Sequence, residues 1–86
     1  MTQIWKFNLD GPISKIKTPG DAVPLRVGMQ DNFVVWAKVN PGQEERILTI
    51  HCVMTGQDLP ELHVLWQHLD TIQIGGIVYH FFWVNS

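Results

Sequence analysis

The stretch Leu25-Arg26-Val27-Gly28-Met29-Gln30-Asp31-Asn32-Phe33-Val34-Val35-Trp36-Ala37-Lys38-Val39-Asn40 decides the fold class. In its first third Leu25, Val27 and Met29 alternate with Arg26, Gly28 and Gln30, the period of a half-buried strand. Asp31-Asn32 reads as a two-residue turn, because both residue types tolerate positive φ. A loop of that length sets Val34 opposite Met29 and Trp36 opposite Val27. The strand that follows carries Val34 and Trp36 on one face and Phe33, Val35, Ala37 and Val39 on the other. With both faces apolar it should lie centrally in a sheet, covered on two sides, with Trp36 in the core.

Reading outward, Asn40-Pro41-Gly42-Gln43 is a turn by composition, and Glu45 to Met54 is a further strand. Near the C-terminus Gly75-Gly76 separates Asp70–Ile74 from Ile77–Val84, a hairpin signal that faces Ile74 with Ile77, Ile72 with Tyr79, and Asp70 with Phe81. Val78, His80 and Phe82 then point the other way. Toward the N-terminus a strand spans Gln3 to Leu9 and ends at Asp10-Gly11-Pro12. An extended piece, Ile13 to Thr18, alternates only loosely. The segment 55–69 admits two readings. Asp58-Leu59-Pro60-Glu61 has capping-box spacing and Leu62, Leu65, Trp66 and Leu69 recur helically, giving a short helix near 59–67. The competing reading is an irregular loop. One domain over residues 1–86 follows, mainly β, as a small antiparallel curled sheet or partly open barrel of five to six strands.

Composition agrees. Val (9), Ile (8), Thr (5) and the aromatics (9) make 31 of 86 residues, and Ala occurs only twice. Branched and aromatic side chains suit a pleated surface. The chain is 45% hydrophobic and 16% charged with net charge −2, which excludes a disordered polyelectrolyte and argues against a general nucleic-acid binder. The single cysteine, Cys52, can staple nothing and suits a reducing cytoplasm, where it reads as a small core residue. The first residues lack the basic-then-apolar order of a signal peptide, and no apolar run approaches the ~20 residues of a membrane span.

Four segments carry a likeness: Ile4-Trp5-Lys6-Phe7, Val35-Trp36-Ala37-x-Val39-Asn40-Pro41, Thr55-Gly56-x-x-Leu59-Pro60 and Gly75-Gly76-Ile77-Val78-Tyr79-His80-Phe81. In their order and spacing the chain resembles a family of small β-rich proteins encoded by bacteriophages and prophages. The resemblance implies a phage-encoded protein working in the cytoplasm of a bacterial host, and it supplies no catalytic residues. His63-Val64-Leu65-Trp66 departs from the family pattern, so a member-specific role would sit there.

The chemistry of the side chains points away from catalysis. The four histidines, His51, His63, His68 and His80, contain no His-x-His pair, so no metal site and no cofactor are expected. His51 and Cys52 are strand neighbours and leave opposite faces, which denies them a thiolate–imidazole pair. The acids are scattered through turns. Lys6, Lys15 and Lys17 could share one basic edge, but such lysines commonly guard edge strands. What remains is Trp66 in the variable segment, with Asp58, Glu61, His63 and His68 around it. Tryptophan is enriched at binding hot spots, and these five residues form the candidate protein-binding site. The leading expectation is a non-enzymatic interaction module acting on a host bacterial protein, by blocking or redirecting it. A homodimer is compatible with so thin a domain. The alternative is a small-ligand or nucleotide-sequestering protein, with aromatics and histidines near the glycine turns.

Overall fold

The computed structural model describes residues 1–85. Seven strands follow in chain order: β1 (Gln3–Asn8), β2 (Ile13–Pro19), β3 (Val23–Met29), β4 (Phe33–Val39), β5 (Glu45–Met54), β6 (Gln67–Ile74) and β7 (Ile77–Asn85). They form two antiparallel sheets, the first ordered β1-β4-β3 and the second β2-β5-β7-β6. The sheets stack and do not close. This corrects the single curled sheet or partial barrel, and seven strands replace five to six. The Cα extents are 41 × 30 × 16 Å, and the thin axis accommodates two layers about 10 Å apart.

The core lies between the sheets. Val27, Val35, Ala37 and Val39 from the first meet Ile16, Leu48, Ile50 and Phe81 from the second. Phe33 packs edge-on against Tyr79 and Phe81, with centroids 5.1 and 5.0 Å away. The loosely patterned Ile13–Thr18 piece is a full strand because its buried hydroxyls are locally satisfied. Ser14 Oγ accepts from the Asp10 amide at 2.7 Å, and Thr18 Oγ1 donates to the Gly20 carbonyl at 3.0 Å. Lys15 and Lys17 alternate outward between these buried positions.

β4 is central, as its two apolar faces predict, yet only one face is covered by another layer. The turn holds three residues rather than two: Met29 pairs with Phe33, Val27 with Val35, and Arg26 with Trp36. This one-residue change sends Val27 into the core and turns Trp36 outward. Trp36 is therefore half-buried on the outer face, correcting its placement in the core. Its indole leans on Gly28, where an added Cβ would lie 2.7 Å from Cζ3.

The helix near 59–67 shrinks to a 3-10 turn, Glu61–Leu65. No side chain caps it, so the Asp58–Glu61 capping box does not form, and none of its residues is buried. Without a buried face so short a segment gains too little to continue as a helix. No helix among the described residues is long and apolar enough to cross a membrane.

Candidate functional site

The outer face of the second sheet gathers most of the predicted residues. Strand alternation sets His51 on β5 outward, and its register partners are Ile13 on β2 and Phe82 on β7. Trp66 ends the 3-10 turn and lies flat on the His51 ring, with centroids 3.8 Å apart and planes 13° from parallel. The indole also meets Phe82 at 5.8 Å, and the His68 ring meets Phe82 edge-on at 5.5 Å. Burial beneath this cover lowers the pKa of His51. Asp58 joins Pro12, Ile13, Gln57 and Pro60 around a shallow recess beside the stack.

The five predicted residues thus divide. Asp58, Trp66 and His68 belong to one continuous surface. Glu61 is exposed at the start of the 3-10 turn, outside the recess. His63 is half-buried, and its Nδ1 donates to the Pro60 carbonyl at 2.7 Å, which stiffens the turn. Trp66 pins the segment to the sheet and is itself half-buried. The exposed apolar positions are the turn's other residues: Leu62, Val64 and Leu65 are 68%, 74% and 65% exposed. Leu62 and Leu65, two of the residues whose helical spacing gave the short helix, therefore lie in solvent.

A hydrogen-bonded chain crosses the same face, and sequence reasoning missed it. Thr71 Oγ1 lies 2.9 Å from His68 Nε2 and 3.3 Å from His80 Nδ1, while His80 Nε2 lies 2.7 Å from Thr55 Oγ1. Its signal was partly present, since the hairpin reading set His80 and Phe82 on one face. Two imidazoles bridged by a hydroxyl can shuttle a proton between them, but no carboxylate among the described residues is hydrogen-bonded to either ring. No cluster of three or more metal-ligating side chains occurs among the described residues.

Cys52 sits on the opposite face of β5 and is only half-buried, at an open end of the core. Burial raises its thiol pKa, which makes it a poor nucleophile. It lines a cleft of about 490 Å³ between the sheets, together with Leu9, Phe33, Met54 and Tyr79. The basic edge expected from Lys6, Lys15 and Lys17 is divided: Lys6 projects from the first sheet, and Lys15 and Lys17 from the second.

No curated protein and no solved structure matches the chain. A family model does, described as a domain of unknown function (DUF7352) and covering residues 1–86, so the chain belongs to the DUF7352 family.

Proposed function

We propose that this protein is a non-enzymatic interaction module that docks on another protein through residues 59–66 and the sheet face beneath Trp66. One observation carries the reading: the 3-10 turn buries none of its own residues and exposes Leu62, Val64 and Leu65 together. Covering one aliphatic side chain fully is worth about 1.5–3 kcal/mol, a gain this fold forgoes three times in four residues. Trp66 and the His63–Pro60 hydrogen bond hold the turn in shape, which lowers the ordering cost of binding. The resemblance to phage-encoded proteins suggests a host bacterial protein in the host cytoplasm as the partner, inhibited or redirected by the contact.

The test is capture from bacterial lysate by the tagged wild type and by the Leu62→Asp/Leu65→Asp variant. A discrete partner held by the wild type and lost by a variant with an unchanged circular dichroism spectrum supports the reading. A monodisperse wild type that captures nothing above background, or a variant that captures the same protein, refutes it.

The inter-sheet cleft favours a second reading, a small-ligand binder. Its lining contains no lysine or arginine, so a nucleotide's phosphates would lack a counter-charge there. An apolar ligand fits this lining better, and it would raise the melting temperature by mass action.

A further inference from the structure

The three strands of the first sheet, Gln3–Asn8, Val23–Met29 and Phe33–Val39, contain no aspartate or glutamate. They contain Lys6, Arg26 and Lys38, half of the chain's six basic residues, although the whole chain carries net charge −2. All three point away from the core. Phe33, Val35, Ala37 and Val39 face the second sheet, so Trp36 and Lys38 face outward by alternation. Register then sets Lys6 and Arg26 on either side of Trp36, and Ile4 and Val23 on either side of Lys38.

Among the described residues these cations form no ion pair with an acid. Among the described residues the one ion pair is Arg46–Asp21, at 3.8 Å. Lys6 Nζ donates to Gln30 Oε1 at 2.9 Å, a neutral contact that leaves its charge uncompensated. The strands of this sheet bring three cations and no acid, and among the described residues the carboxylate hydrogen-bonded to them, Asp70 on the Val27 amide, sits at the β3 edge. The excess positive charge on the outer face acts over about a Debye length, about 8 Å at physiological salt.

We infer that this outer face is a docking surface for an acidic protein segment, one that carries apolar side chains among its carboxylates. Charge complementarity fixes the sign of the partner. The apolar members fix its class. Ile4 is 61% exposed and Val23 is 44% exposed, and neither can stack on a base. Among the described residues Trp36 is the one aromatic ring that strand alternation sets on this face, and it leans on Gly28. A nucleic acid would use the cations and leave the aliphatic side chains wet. An acidic protein segment would use both, and a mixed aromatic, aliphatic and arginine surface is common at protein interfaces. This surface lies on the opposite side of the sandwich from the 59–66 site and does not depend on it.

The probe is a random copolymer of glutamate and tyrosine, with oligothymidylate as comparison. Amide NMR of the full chain maps the footprint, and fluorescence anisotropy gives affinity at low and high salt. The copolymer should shift resonances on Ile4–Asn8, Val23–Gly28 and Val34–Lys38, with affinity falling as salt rises. Lys6→Gln/Arg26→Gln should weaken binding about tenfold, because each surface charge contributes modestly. Lys15→Gln/Lys17→Gln removes the same charge from the other sheet and should change affinity less than about twofold. Each variant changes only exposed side chains, and circular dichroism checks its fold. The inference is overturned by the absence of a footprint, by a footprint elsewhere, or by equal weakening in both variants. Tighter binding of oligothymidylate to the same residues would overturn it in favour of a nucleic-acid site.

Discussion

The stack of Trp66 on His51 ties one titration to stability. Burial lowers the pKa of His51 below its ordinary 6.5, so the folded state favours the neutral ring. Between the lowered value and 6.5 the unfolded chain binds more protons than the folded one. His51 therefore contributes its full stabilisation above pH 6.5, and that contribution is lost as pH falls through the folded-state value. Urea unfolding of the wild type and of His51→Gln, from about pH 7.5 to about pH 5, should show the wild type losing more stability than the variant on acidification. Parallel curves would refute the assignment. None of this was legible in the chain order: His51 and Trp66 are fifteen positions apart, and only the folding-back of residues 55–66 joins them. Trp36 failed differently. Its alternation was read correctly, but the turn before it is one residue longer than Asp31-Asn32 alone, and with period two a single residue exchanges the faces.

The β6–β7 hairpin shows why some elements read cleanly. Its register, with Ile74 opposite Ile77 and Ile72 opposite Tyr79, follows from Gly75-Gly76 without tertiary information. Gly75 has φ +59° and Gly76 has no positive φ, the pattern of a type II′ turn with glycine required only at its first central position. Gly75→Ala should therefore cost about 1 kcal/mol, and Gly76→Ser much less. Thermal unfolding of the two variants measures the difference, and equal losses would reject the turn assignment. The 59–66 segment carried no such local instruction. Helical spacing of Leu62, Leu65, Trp66 and Leu69 would indicate a helix only if a partner buried that face. Trp66 instead binds the sheet outside, Leu69 lies at the irregular step between His68 and Asp70, and the leucines of the turn stay in solvent.

At the scale of the molecule the question is what keeps two open sheets in register. Apolar contact between Val27, Val35, Leu48, Ile50 and Phe81 supplies cohesion but little direction. Direction comes from a polar clasp at one side of the sandwich, where β3 and β6 meet as the edge strands of their sheets. Asp70 Oδ2 accepts from the Val27 amide at 3.0 Å, and its Oδ1 accepts from the amide of Thr71 at 2.9 Å. One carboxylate thus occupies an edge donor of β3 and fixes its own strand beside it. Sequence reasoning set Asp70 opposite Phe81, but had no means of finding its acceptor role, because its donor lies on the other sheet. The clasp also guards an edge, since an unsatisfied strand donor is an invitation to pair with another chain. Asp70→Ala should lower stability by about 1–3 kcal/mol, the cost of leaving a part-buried amide unpartnered, and should promote self-association. Asp70→Asn retains an acceptor oxygen for Val27 and should lose less. Urea titration ranks the three proteins and light scattering reads their size. If Asn proves as damaging as Ala, the negative charge rather than the acceptor geometry is what the β3 edge requires.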